Sequence, residues 1–117
     1  MALTIDHKEH DQRPVLVLTG DLDLNTAPQL TNLALSIAES GARDIIIDAA
    51  ALESCDATGL SAFVQIAARL RTRAGRLAIV SPNPVLSQAM ADKGLLDGFV
   101  VAGSVAGALY AIHRDHP

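Results

Sequence analysis

Ile45-Ile46-Ile47-Asp48, then three alanines, then Leu52-Glu53-Ser54-Cys55-Asp56-Ala57-Thr58-Gly59-Leu60 is the stretch on which the fold turns. The uninterrupted apolar run reads as a strand covered on both faces, as in a parallel sheet. From Leu60 the apolar positions switch to helical spacing, with Leu60, Phe63, Val64, Ala67 and Leu70 on one predicted face. A buried strand that hands over to a helix within a dozen residues is half of a β-α-β unit. Asp56 is the predicted N-cap, which puts Thr58 in the first helical turn. There its hydroxyl lies among unpaired backbone N–H groups at the positive end of the helix dipole, a place that suits an anionic group. The same residues also fit a simpler description, an ordinary cap followed by an ordinary first turn.

Working outward, the pattern repeats. Leu3 to His7 alternates as a half-buried strand, His10 to Pro14 reads as a polar turn, and Val15 to Leu18 reads as a buried strand, so the two should form an antiparallel hairpin. Gly20 to Asp23 ends the second strand in an acidic loop. Thr26-Ala27-Pro28-Gln29 fits a capping box, and Leu30, Leu33, Ala34, Ile37 and Ala38 follow on one helical face up to a C-cap at Gly41. Gly75 is expected to stop the second helix. Leu77 to Val80 reads as a buried strand, and Asn83-Pro84 as the start of a third helix with Val85, Leu86, Ala89 and Met90 inward and Gly94 as its C-cap. Phe99 to Val101 is a short strand, Ser104 caps a last helix carrying Val105, Ala108, Leu109 and Ile112, and His113 to Pro117 reads as a frayed tail. The expected fold is α/β, a mixed and mainly parallel sheet of about five strands with an N-terminal antiparallel hairpin and about four helices, in one domain over residues 1–117.

Composition narrows the function classes. The 117 residues are half apolar but hold only Phe63, Phe99 and Tyr110 as aromatics, so the core must be aliphatic. A formal net charge of −4 argues against nucleic acid, whose phosphates need a basic face. No apolar run is long enough to span a bilayer, and no signal-peptide layout is visible, so a cytoplasmic protein is expected. The single cysteine, Cys55, excludes an internal disulfide and a cysteine metal cluster.

In such a sheet the loops leaving the carboxyl ends of the parallel strands gather at one edge. That topology brings Asp21 and Asp23 near Asp56 and Thr58. A catalytic centre there is not expected. The histidines (His7, His10, His113, His116) lie near the termini, Cys55 has no evident base, and Gly59 stands without the companions of a phosphate-cradling loop. The aspartates have a simpler use as caps and turn formers than as magnesium ligands. No cofactor and no metal is expected, and Arg69, Arg71 and Arg73 read as a solvated face that complements the dipole.

Two motifs carry a family resemblance. Thr19-Gly20-Asp21-Leu22-Asp23-Leu24-Asn25-Thr26-Ala27 resembles the G-[DE]-[LI]-D-x-x-x-A segment of STAS domains, and Asp56-Ala57-Thr58-Gly59-Leu60 resembles their D-S-[ST]-G-[LI] segment. The chain is similar over nearly its whole length to stand-alone STAS domains of the anti-sigma factor antagonist type. That resemblance implies phosphorylation at Thr58 by a partner that is both anti-sigma factor and serine/threonine kinase, with a histidine-kinase-like ATPase fold. It implies binding when unmodified, release when phosphorylated, and resetting by a PP2C-type phosphatase. It places Asp21, Asp23, Asp56, Ala57, Gly59 and Leu60 at the partner-binding surface, with Asp23 associated with the phosphorylation step. The chain departs from the pattern at Ala57, where many members have Ser, and at Thr58, where Ser is commoner; Cys55 replaces a larger apolar residue. The family also includes accessory subunits of ABC-type phospholipid transporter ATPases, in which Thr58 would be a fixed interface residue. A small-ligand or nucleotide sensor is a third class, for which the sequence shows no dedicated residues.

Overall fold

The computed structural model describes residues 2–92 and 99–115. The elements run β1 (Leu3–His10), β2 (Arg13–Leu22), α1 (Ala27–Glu39), β3 (Ile45–Cys55), α2 (Ala57–Arg71), β4 (Leu77–Val80), α3 (Pro84–Asp92), β5 (Val100–Ala102) and α4 (Val105–Asp115). The five strands lie side by side in chain order; β1 pairs antiparallel with β2 and every later pair is parallel. This is the expected architecture. The expected cap at Gly94 and the last tail residues, His116 and Pro117, fall outside the described residues.

Strand periodicity sorts the core into two layers. Ile45, Ile47, Leu77 and Ile79 pack with Leu30 and Ala34 of α1, Phe63, Ile66 and Leu70 of α2, and Leu86 and Met90 of α3. Their neighbours Ile46, Ala78 and Val80 face the other way, against Ala108, Leu109 and Ile112 of α4. Three helices therefore cover one face and a single helix covers part of the other. Phe63 and Phe99 meet edge to face, with ring centroids 6.5 Å apart.

Several boundaries differ from expectation for physical reasons. Residues 11 and 12 alone turn the hairpin, both at positive φ, so β1 continues to His10 and β2 begins at Arg13. Val64 is 41% exposed, while Ile66 is fully buried. At about 100° per residue, Val64 stands too far round from the arc that Phe63, Ile66 and Leu70 define. The α1 C-terminus does use Gly41 (φ +113), with Gly41 N–H bonded to Ala38 and Ala42 N–H to Ile37. The α2 C-terminus takes its left-handed residue at Ala74 (φ +59) instead. Gly75 is needed for space, since a Cβ there would fall 1.7 Å from the Arg43 carbonyl oxygen. Helix α4 runs through Asp115, taking in the first part of the expected tail.

Candidate functional site: the β2–α1 and β3–α2 junctions

The largest departure from expectation shapes the site. β3 does not stop at Asp48; it continues to Cys55. Beyond Asp48 it has lost β4, whose pairing ends at Val80, and remains paired only with β2, from Thr19↔Ala51 to Leu22↔Cys55. Two register shifts, between Val17 and Thr19 and between Gly20 and Asp21, each add a residue on β3. Such bulges bend and twist a strand pair. Asp48 settles the first, its carboxylate accepting the Ala50 N–H at 3.0 Å. Gly20 sits at the second with φ +109, where a Cβ would meet the Ala2 carbonyl oxygen at 2.2 Å. The result is a ribbon of β2 and the β3 extension, flanked by β1 as far as Asp21, that carries both junctions past the ends of β4 and β5.

The ribbon end is tied by polar groups. Ser54 Oγ donates to Asp21 Oδ1 at 2.5 Å, and Asp21 is buried, 8% exposed. Asp56 N–H donates to the Leu22 carbonyl at 3.2 Å. Thr26 does not cap α1 through its side chain. Its Oγ1 donates to the Asp21 carbonyl (2.8 Å) and accepts from Asp23 N–H (2.9 Å). Asp23 Oδ1 in turn accepts from Asn25 N–H and Thr26 N–H. Gln29, expected to close a capping box, instead donates to the Leu3 carbonyl at 3.2 Å. The first motif thus folds its own loop, which is why its acidic and hydroxyl residues sit at this spacing. Asn83 braces the site from the β4–α3 loop, donating to the Leu52 carbonyl.

Asp56 performs the expected cap, its Oδ1 accepting Gly59 N–H at 3.0 Å from an extended backbone. Gly59 has a second task. A Cβ there would lie 2.8 Å from Cys55 Sγ and 2.9 Å from the Leu22 carbonyl oxygen. The glycine of the second motif lets the helix start pack directly on the ends of β2 and β3. Cys55 is held in that contact, its thiol donating weakly to the Asp56 carbonyl and pushed up to about 12 by burial, then by the Asp56 carboxylate. A thiol so disposed is not a nucleophile near neutral pH.

The structure brings Asp21, Asp23, Asp56 and Thr58 to one edge, but at different depths. Asp56 and Ala57 are exposed, Asp23 and Thr58 half-buried, and Asp21, Gly59 and Leu60 buried. The last three are largely covered and shape the loops from beneath, while Asp23, Asp56, Ala57 and Thr58 carry most of the accessible surface. Sequence reasoning missed Ser54 and Leu24. Leu24 is 69% exposed beside Asp23, an apolar side chain held out at the centre of an otherwise polar loop. Its signal was legible: an apolar residue between Asp23 and Asn25, outside any strand or helix period. Neither segment 19–27 nor segment 49–60 contains Lys or Arg. Among the described residues no group of three or more His, Cys, Asp or Glu is placed to hold a metal ion, and no helix is long and apolar enough to cross a membrane. An open cavity of about 670 Å³ lies at the far end of the molecule, between β1 and the end of α1.

With this geometry established, a family model described as "Mlab, STAS domain" matches residues 5–101. The chain belongs to the STAS domain family. Solved STAS structures share its fold. A candidate anti-sigma factor antagonist of Thermotoga maritima is 20% identical, covers 94% of this chain and 95% of its own, and superposes with a TM-score of 0.88. An anti-sigma factor antagonist of Mycobacterium paratuberculosis is 23% identical over 96% of this chain and 95% of its own, TM-score 0.86. The antagonist SpoIIAA in its unphosphorylated form is 20% identical over 97% and 96%, TM-score 0.72. No curated protein matches the chain.

Proposed function

We propose that this STAS domain is an anti-sigma factor antagonist, a non-enzymatic binding module switched by phosphorylation of Thr58. The observation that carries the reading is the placement of Thr58. This residue is half-buried in the first turn of α2, just past the braced end of β3, with an exposed leucine on the adjoining loop and no cation in either loop segment. A phosphate at Thr58 brings about −1.5 to −2 charges. The helix start favours it by roughly 0.3–1 kcal/mol, Asp56 and Asp23 oppose it, and nothing in the two loops recruits it inward. Phosphorylation then leaves the fold in place and acts on whatever is docked. Burying an uncompensated phosphate under a partner costs several kcal/mol, and each ~1.4 kcal/mol is tenfold in affinity. Solved structures of SpoIIAA in unphosphorylated and phosphorylated forms both superpose on this chain over 97% of its length, which supports a switch without refolding.

The partner is an anti-sigma factor with serine/threonine kinase activity and a histidine-kinase-like ATPase fold, and a PP2C-type phosphatase resets the site. A second reading draws on the family model, whose description names Mlab rather than an antagonist. In it the domain is a permanent accessory subunit of an ABC-type phospholipid transporter ATPase, and Thr58 is an interface residue that is never modified. Incubation with ATP and the histidine-kinase-like ATPase encoded nearest the gene, read by mass spectrometry, separates the two. Phosphate on Thr58 that is lost in Thr58→Ala supports the switch. Absence of phosphate, with stable co-purification of a transporter ATPase, supports the subunit.

A further inference from the structure

The two edges of the sheet are unequal. β5 is an edge of three residues, too short to recruit another strand, whereas β1 offers eight. The direction of its backbone groups follows from one bond. Asp21 N–H donates to the Ala2 carbonyl, so even-numbered residues of β1 bond to β2, and Leu3, Ile5, His7 and Glu9 turn their N–H and C=O groups outward. Gln29 occupies the Leu3 carbonyl. That leaves the outward groups of Ile5, His7 and Glu9, along a strand with no neighbour on that side among the described residues.

We infer that β1 pairs antiparallel with β1 of a second copy, centred on His7, joining two sheets into one. Only outward residues can bond to outward residues, so few registers exist, and charge selects among them. Centring on Asp6 sets Asp6 against Asp6 of the second copy, and centring on Lys8 sets Lys8 against Lys8. Centring on His7 sets Asp6 against Lys8 twice over, in the non-hydrogen-bonded positions where side chains approach most closely. Both side chains are exposed and lie on one face, 3.5 Å apart within a chain, so they are available for a four-charge cluster across the two-fold axis. Charged side chains usually blunt an edge; this order makes the edge complementary to itself. The same register leaves Leu3 to Gln29 and sets Ile5 of one copy beside Glu9 of the other, at the mouth of the 670 Å³ cavity lined by Ile37. Because the axis reverses strand direction, the two Thr58 sites lie at opposite ends of the joined sheet and each stays open. This inference does not depend on how Thr58 is used.

One strand pair buries less than the ~1,600 Å² of a standard interface, so the dimer is weak and needs a concentration series. Sedimentation equilibrium of the full chain from micromolar to millimolar should show monomer–dimer exchange. Asp6→Lys and Lys8→Asp each place like charges opposite one another and should weaken the dimer on the order of tenfold or more. The double reversal restores opposite charges in the same register and should recover the parent dimer, which a merely destabilised chain would not; circular dichroism checks each fold. A monomer at every concentration, a dimer indifferent to the single reversals, or a double variant as weak as the singles would overturn the inference.

Discussion

Thr58 is one of three residues whose chemistry at the start of α2 can be tested separately. Asp56 caps through a single bond to Gly59 N–H, so Asp56→Ala should cost about 1 kcal/mol in denaturant unfolding while leaving the sheet intact. Cys55 should resist alkylation. With its thiol near 12 instead of 9.0, the thiolate fraction at pH 8 is on the order of one in ten thousand, and iodoacetamide should label native protein far more slowly than protein in denaturant. Equal rates in the two states would mean that the Gly59–Cys55 contact opens freely. The sign of the linkage follows: burial favours the neutral thiol, so its contribution is whole below pH 9 and fades as pH rises from 9 toward 12.

At the scale of elements, the ribbon formed by the end of β2 and the extension of β3 makes the site. Ser54 ties it through the buried Asp21 carboxylate. Ser54→Ala strips a donor from a buried charged acceptor and should cost about 1–3 kcal/mol, with faster amide exchange confined to the ribbon and the α2 start. Exchange rising evenly across the sheet would show that the tie is not local. This ribbon also marks where the sequence stops being legible. Ile45 to Asp48 announces a strand because it opens with three consecutive β-branched apolar residues. Ala49 to Cys55 does not, since alanine has poor strand propensity and the two buried residues, Ala49 and Leu52, stand three apart and not in strand alternation. That segment is extended because β2 and two bulges hold it, a tertiary cause invisible in local pattern. Thr26 and Gln29 misled for a related reason. The residues of a capping box are present, but an aspartate at 23 and the Leu3 carbonyl compete for their hydrogen bonds and win. By contrast, the convergence of the two loops was readable, because parallel topology gathers strand ends at one edge. Gly20, expected to end β2, instead lies at a bulge inside it, and the close contacts of Gly59 are again a tertiary matter.

At the scale of the molecule, the fold separates its surfaces. The loops bearing Thr58 and Leu24 project from one end, while the cavity and hairpin lie at the other, with β1 running between them along a free edge. A partner covering Thr58 meets an acidic, cation-free loop pair with Leu24 standing out at its centre, so it should offer a basic rim and an apolar recess. Leu24→Ala should then weaken binding by about tenfold or more without changing thermal stability, since the side chain is exposed in the free domain.

Thr58, as proposed, is the target of a partner's chemistry. The most direct test is affinity for the cognate kinase, measured by calorimetry for the parent chain, Thr58→Ala, Thr58→Glu and the enzymatically phosphorylated protein. The parent and Thr58→Ala should bind alike, Thr58→Glu should bind at least tenfold more weakly, and the phosphorylated form should not measurably bind, with unchanged circular dichroism throughout. Equal affinity of the phosphorylated and parent forms would contradict a switch at Thr58.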